Sequence, residues 1–425
     1  MSRLQISVVC LTVLLNALDG FDVLSISFAS PGIMREWGIN RAALGIVLSM
    51  ELIGMAFGSI FLGSVADKIG RRPTVLGCLV VMAVGMYTAT TATDVYTLSA
   101  WRIVTGLGIG GMLAAINAVA AEFSNARRRH LSVSLMAIGY PLGAVFGGMV
   151  ARELLKENDW RAVFYFGSAV TATLIPIVYF AVPESVHWLA RKQPQGALDR
   201  INATMARMGH AAVAALPTIT AEGKGTSVSD IFTGTLRRTT ILVTLAYFLH
   251  ITTFYYILKW IPEIVVRFGF DPSTAAGVLV WTNVGGATGG ALFGLLTLRY
   301  NVRTLTIVML ALSTIAVTIF GMSPADLQRL SIVSAIAGFC ANAGIVGLYA
   351  ILAQAFPTHV RASGTGFAVG LGRGGSVIAP IIAGFLFEGG LALPLVSLAL
   401  GLGSLLGAIT IFFLKLDSDR AAAAR

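Results

Sequence analysis

The stretch LTVLLNALDGFDVLSISFASP, residues 11–31, places two carboxylates, Asp19 and Asp22, in the middle of an otherwise apolar run. The run from Leu4 to Ile33 is long enough to cross a bilayer, which takes about 20 helical residues. An acid near the centre of such a span costs about 2.5–3.5 kcal/mol on insertion scales. Three residues apart, Asp19 and Asp22 fall on one helical face. That face must look toward protein or water. The pair is therefore either a structural partner for charges on neighbouring helices or a site that binds and releases protons. A cleavable secretion signal is not expected, because its apolar core would be short and free of acids.

The rest of the chain repeats this pattern. Of 425 residues, 56% are hydrophobic and 12% charged, with a mean hydropathy of +0.82. Apolar runs recur to the end, which implies an all-α, multi-pass membrane protein in a lipid bilayer. Twelve spans are predicted, at 5–33, 42–66, 73–92, 96–122, 131–153, 161–182, 239–266, 273–297, 304–322, 329–355, 362–387 and 391–414. The 47 glycines suit helices that pack closely in lipid. Cys10, Cys78 and Cys340 lie in apolar runs with neither disulfide nor metal spacing.

Charge sorts the connections. One side collects 20 of the 30 Lys and Arg, among them Lys68, Arg71, Arg72, Arg127, Arg128 and Arg129; the other collects seven. The bias predicts both termini in the cytoplasm. It also explains the net charge of +10 without a nucleic-acid partner. Arg102, Lys259 and Arg373 remain inside spans. Residues 183–238 form the one long hydrophilic segment, and helical periodicity followed by a Gly/Thr/Ser-rich stretch makes it a cytoplasmic linker with a surface helix. The expected organisation is a six-helix bundle over 1–182, the linker over 183–238, and a second six-helix bundle with a short cytoplasmic tail over 239–425.

The two halves resemble each other. Gly63-Ser-Val-Ala-Asp67-Lys-Ile-Gly70-Arg71-Arg72 joins spans two and three, and Gly294 to Arg303 joins spans eight and nine, 231 residues later (294 minus 63). Phe123 and Arg128 have counterparts in Phe356 and Arg361, 233 residues later. Agreement within two residues indicates an internal duplication, common among transporters. In the first copy, the glycines permit a tight turn. Asp67 can accept from Arg or backbone N–H, and Arg71 and Arg72 can bridge to helix C-termini.

The first loop resembles the hallmark loop of the major facilitator superfamily. The resemblance implies two pseudo-symmetric six-helix bundles, with Gly63, Asp67, Gly70, Arg71 and Arg72 acting as a cytoplasmic gate latch. The second copy lacks the Asp, so its latch is expected to be weaker or absent. Within the superfamily, Asp19-Gly20-Phe21-Asp22 is similar to the acidic motif of the aromatic acid:proton symporters. Arg102-Ile-Val-Thr-Gly106-Leu-Gly108-Ile-Gly110-Gly111, running on to Glu122-Phe123, resembles their fourth helix. Pro183-Glu184-Ser185 with Trp188-Leu189 resembles the end of their sixth. Phe356-Pro357, Arg361, Gly364, Gly366, Gly370, Gly372-Arg373, Gly375 and Pro380 are similar to their helix 10–11 region. The likeness implies proton coupling through Asp19, Asp22, Arg102 and Glu122. Glu51, Lys259 and an unusually aromatic span seven depart from the family pattern.

Span seven puts Phe248, Thr252, Tyr255 and Lys259 on one face, with Tyr247, His250 and Phe254 beside it. A cation one turn beyond an aromatic ring suits an aromatic carboxylate, whose ring stacks while the ammonium pairs. The alternative is that the rings pack and Lys259 either snorkels outward or pairs with Glu263. Opposite charge and comparable depth make Asp22 or Asp19 the expected partner of Arg102. Gly106, Gly108, Gly110 and Gly111 are expected to admit another helix, the first being favoured. Arg373 is read as a partner for Glu51 or for the substrate carboxylate. Tyr255, Tyr256, His250, Trp281, Asn342 and Tyr349 complete the candidate binding residues, with packing as the alternative for each.

No HExxH, P-loop or Cys/His cluster of metal spacing occurs. The chain is therefore expected not to be an enzyme and to need no cofactor, with a proton as coupling ion. The reading is proton-coupled uptake of a small-molecule aromatic acid, extending to a larger lignin-derived acid or dicarboxylate, by a monomer in a bacterial-type inner membrane. Two alternatives stay open. One is a proton-antiporting exporter, hinted at by Gly139-Tyr140-Pro141-Leu142-Gly143; the other is a non-transporting sensor of the same fold.

Overall fold

The computed structural model describes residues 1–125, 127–217, 231–234, 236–357 and 360–414. Among the described residues the secondary structure is helical, without strands. The first six spans are α1 (Arg3–Trp37), α2 (Arg41–Ile69), α3 (Arg71–Ala89), α4 (Val95–Glu122), α5 (Arg129–Glu157) and α6 (Arg161–Ala181). Two short helices follow, α7 (Val186–Lys192) and α8 (Ala197–Met208). The later spans are α9 (Leu236–Arg267), α10 (Pro272–Leu296), α11 (Val302–Met322), α12 (Leu327–Ala355), α13 (Arg361–Gly372) with α14 (Gly374–Glu388), and α15 (Leu393–Phe412). Arg373, between α13 and α14, keeps helical backbone angles, so the eleventh span runs on through it. Twelve helical segments are long and apolar enough to cross a membrane, so the protein is a multi-pass membrane protein. Most of the Gly/Thr/Ser-rich stretch expected before α9, and the cations Lys415, Arg420 and Arg425, lie outside the described residues.

The chain divides into two compact units. Unit 1 comprises Met1–Ile26 and Met50–Gly223; unit 2 comprises Ser27–Ser49 and Lys224–Arg425. The end of α1 and the start of α2 therefore pack with unit 2. There, Ser49 Oγ donates to the Val377 carbonyl at 2.7 Å and the Arg41 side chain lies 3.7 Å from Glu263.

Local chemistry sets the helix ends. Asp94 caps α4, accepting from the N–H groups of Tyr96 and Thr97; Asp326 caps α12, accepting from Arg329 N–H. The Thr97 hydroxyl, helped by these N–H groups, holds the exposed Asp94 carboxyl below the usual carboxylate range. Close contact between α2 and α4 depends on small residues. A Cβ on Gly106 would collide with the Glu51 carbonyl, and one on Gly54 with the Ile103 carbonyl. Gly106 and Gly110 thus face α2, and Gly108 faces α3, where the sequence favoured the first helix. In unit 2, α12 approaches α10 in the same way, with Gly338 against the Thr282 main chain.

Candidate functional site

The tight α2–α4 contact brings Glu51 to Arg102, and both side chains are fully buried. The Arg102 guanidinium pairs with the Glu51 carboxylate. Its Nη2 donates to the main-chain carbonyl of Asp22 at 3.0 Å, and its Nη1 reaches Met86 Sδ at 3.0 Å. Its plane stands over the Phe164 ring, 5.2 Å from the centroid. The expected Arg102–Asp22 pairing is therefore met only through the Asp22 backbone, and Glu51, read as a partner for Arg373, supplies the carboxylate. The reason is proximity: Glu51 sits at the closest point of two helices, and a guanidinium buried in lipid-facing protein needs a full counter-charge.

Asp22 is fully buried. Both its carboxylate oxygens lack a hydrogen-bond partner among the described residues, and Oδ1 faces Gly167 of α6. Asp19 is buried one turn earlier. Arg102 thus stands between the Glu51 carboxylate and the Asp22 main chain. Glu51 matches Arg102, and the Asp22 carboxyl lies buried beside that pair.

Glu122 lies in a different cluster from the one its sequence role implies. Arg71 Nη2 pairs with Glu122 at 3.1 Å and Nη1 with Asp67 at 2.7 Å. Glu184 closes this loop. Its Oε1 accepts from the N–H groups of Arg71 and Ser185, each at 2.9 Å. It caps α3 because the preceding residue, Gly70, has no side chain and a backbone φ of 115° that disfavours other residues. A Cβ there would also strike the Glu184 carboxylate. Trp188 Nε1 donates to the Asp67 carbonyl at 3.1 Å, and Arg72 Nη2 to the Tyr179 carbonyl at 2.6 Å. Gly63 would tolerate only ordinary contact, its nearest neighbour being Ala114.

In unit 2, Lys259 is fully buried, which argues against snorkelling, and the Glu263 suggested as its partner lies by Arg41. Phe254 and Tyr255 meet edge to face with centroids 5.5 Å apart. Tyr256 and His250 turn inward. The Tyr256 hydroxyl bonds Ser397 at 2.7 Å, and His250 bonds Ser404 through Nδ1 and the Ala341 carbonyl through Nε2, both at 2.8 Å. A ring nitrogen facing a carbonyl must carry hydrogen, so Nε2 donates and Nδ1 is free to accept. Tyr349, half exposed, shares a hydroxyl contact of 3.0 Å with buried Tyr247. Asn342 donates to the Gly286 carbonyl at 2.7 Å, Trp281 is exposed, and Arg373 is half-buried where α13 meets α14. Sequence reasoning assigned no role to Glu184, Trp188, Tyr247 or Met86. The signals available among them were the Pro183-Glu184-Ser185 and Trp188-Leu189 motif and, for Tyr247, the aromatic stripe of span seven.

Twelve spans, a duplicated loop bearing a carboxylate–arginine network, and buried charges inside the first half define a membrane transporter. The chain belongs to the Major Facilitator Superfamily, whose family model matches residues 12–324 and 243–425. Its fold is that of the xylose transporter XylE from E. coli in an inward open conformation, with a TM-score of 0.75, 19% identity and 97% of each chain covered. Among characterised relatives, it is 28% identical to a gallate transporter of Pseudomonas putida, covering 96% of this chain and 90% of that protein. It is 29% identical to the 4-hydroxybenzoate transporter PcaK of the same organism (89% and 85%) and 27% identical to the 3-(3-hydroxy-phenyl)propionate transporter of Escherichia coli (99% and 96%). Family and relatives are transporters, and the chain is not an enzyme.

Proposed function

We propose that this protein is a proton-coupled symporter that imports an aromatic carboxylate across a bacterial inner membrane, with both termini in the cytoplasm. The substrate class is supported by the relatives, named for gallate, 4-hydroxybenzoate and 3-(3-hydroxy-phenyl)propionate. The orientation is supported by the excess of Lys and Arg in alternate connections. The observation that carries proton coupling is the buried Asp22 carboxylate without a hydrogen-bond partner among the described residues, beside an arginine already matched by Glu51.

Glu51 keeps Arg102 neutralised as a pair, so proton exchange at Asp22 changes the net charge of the cluster by one. An ionised Asp22 in so buried a place is costly, and protonation removes that cost. The proton and the substrate then act together as ligands that stabilise the transport-competent state, each through differential affinity for the two states. Lys259 and Arg373 are the cations proposed to meet the carboxylate, and Phe254 and Tyr255 the rings proposed to stack on it. A second cation beyond the needs of a benzoate-like acid suits a dicarboxylate or a larger biaryl acid.

Uptake of labelled gallate, 4-hydroxybenzoate and 3-(3-hydroxyphenyl)propionate into cells, with and without a proton uncoupler, tests the reading. Accumulation of at least one acid that collapses with the uncoupler is expected. Uncoupler-enhanced retention would favour an exporter. Binding without accumulation would favour a sensor.

A further inference from the structure

Apart from the charge clusters, unit 1 contains a cavity of about 210 Å³ where α7 and α8 fold back beside the end of α6. Arg72, Arg200 and Arg207 line it, with Glu184 as its one carboxylate. The cavity is a built feature. Trp188, Leu189 and Ile201 form a small buried core between α7 and α8, and the Trp188 Nε1 bond to the Asp67 carbonyl ties that core to the 63–72 loop.

The residues of α8 sort by face. Ala197, Ile201 and Thr204 are buried, while Arg200 and Arg207, seven residues and about two turns apart, are exposed and reach the same cavity. Across from them Arg72 is held by its bond to the Tyr179 carbonyl and by the Tyr179 ring, 4.8 Å away. Its buried Nε has no hydrogen-bond partner among the described residues. Glu184, whose Oε1 accepts from the main-chain N–H groups of Arg71 and Ser185, offsets one of these three charges and leaves the set net positive. The cavity is therefore rich in arginine and net positive, at the end of a membrane-crossing helix. Two exposed aromatics on its rim, Tyr179 and Phe180, mark the headgroup level, where aromatic side chains gather.

We propose that this cavity binds the phosphate of an anionic phospholipid headgroup. Guanidinium forks recognise phosphate oxygens with paired hydrogen bonds, and basic pockets on the cytoplasmic side of helical membrane proteins take such headgroups. The acyl chains leave along Phe180 into the bilayer. Because Arg72 adjoins Arg71 of the latch, the bound lipid pins the surface helices to the gate loop. This inference does not depend on what is transported.

Detergent-solubilised full-length protein, titrated with phosphatidylglycerol or phosphatidylcholine and followed by native mass spectrometry, tests it. The wild type is expected to retain phosphatidylglycerol in preference to phosphatidylcholine. R200Q/R207Q is expected to lose about 30-fold of its phosphatidylglycerol affinity, from the usual contribution of one arginine near anionic lipid taken twice. R200K/R207K, which keeps the charge but not the fork, should fall between. Millimolar inorganic phosphate should leave the lipid adduct in place. Equal retention of the two lipids, unchanged retention in R200Q/R207Q, or displacement by inorganic phosphate would each overturn the proposal, the last in favour of a free phosphate site. Should the double variant not purify intact, the single variant R207Q carries the same comparison with a smaller shift.

Discussion

The two copies of the duplicated loop share a skeleton and differ in what holds it. Arg72 and its counterpart Arg303 each donate to a carbonyl near the end of the last membrane-crossing helix of their half, Tyr179 in α6 and Phe412 in α15. Around Arg72 the loop is bound by charge. Asp67, Glu122 and Glu184 come from three separate elements and converge on Arg71. Around Arg303, a neutral side-chain cap and distant main-chain carbonyls take part. Asn301 caps α11 with its own side chain, Arg303 donates to the Ile411 carbonyl of α15, and Arg361 donates to the Phe356 carbonyl. The contrast continues inside the bundles, where Arg102 of unit 1 meets a carboxylate and His250 of unit 2 meets a hydroxyl and a carbonyl. Ionic links joining different elements can be made and broken as those elements move, whereas local caps persist whatever their neighbours do. The first copy thus carries ionic links between elements, and the second a local cap together with bonds to main-chain carbonyls.

The largest expected effect comes from breaking the buried pair in unit 1. Glu51→Gln leaves Arg102 buried beside an amide, and losing one partner of such a pair costs about 3–5 kcal/mol. A matching disruption in unit 2, His250→Gln, removes neutral hydrogen bonds and should cost about 1–3 kcal/mol. Thermal melts in detergent read both; equal losses would erase the contrast. Asp22→Asn, by comparison, should melt near wild type yet abolish uncoupler-sensitive accumulation while exchange persists. Wild-type accumulation in Asp22→Asn and in Asp19→Asn would remove the coupling role.

Next comes the loop itself. Arg71→Ala removes two charge-assisted contacts of about 1.5–3 kcal/mol each and should slow transport on the order of 100-fold, with substrate Kd nearly unchanged. Arg303→Ala should slow it several-fold at most. A defect confined to Kd, or equal rate losses in the two variants, would show that the loops do not differ as their bonding implies.

Lys259→Ala asks whether unit 2 also uses charge, in its case on the substrate. Loss of one charged hydrogen bond predicts roughly 10–150-fold weaker binding of a dicarboxylate or biaryl acid, with a monocarboxylate much less affected. A uniform shift across a panel of acids, or none, would make Lys259 structural. Smallest of all, Asp94→Ala and Asp326→Ala remove local caps and should lower the melting temperature slightly, Asp94→Ala the more, since Asp94 accepts from two N–H groups and Asp326 from one. The Asp94 contribution belongs to its ionised form. It is present above the ordinary aspartate value of 3.8 and fades as pH falls through the lower value the carboxyl has in the fold.

Much of this architecture was legible in the chain itself. Spans 5–33 and 96–122 were readable because apolar runs of that length have one stable outcome in a bilayer. Glu51 was recognisable as out of place, and Arg102 as needing an acid. Its partner was not legible. Helical periodicity gives the face a side chain occupies on its own helix but not which neighbour that face turns toward, and α4 turned Gly106 to α2. Glu184 was hidden for a similar reason, its bond to Arg71 spanning 113 residues. His250 and Tyr256 shared a helix with Phe254 and Tyr255, yet only packing against Ser404 and Ser397 sets the first two inward.

By itself, then, the sequence determined the number of spans, the side on which positive charge collects, the duplicated loop and the residues too polar to face lipid. Those properties follow from composition and period, which the bilayer reads one segment at a time. The tertiary structure alone decided that Glu51 rather than Asp22 answers Arg102, that Glu122 and Glu184 join the latch, and that Arg72, Arg200 and Arg207 surround one cavity. Each of these depends on the approach of helices distant in sequence, set by where small residues let two backbones touch.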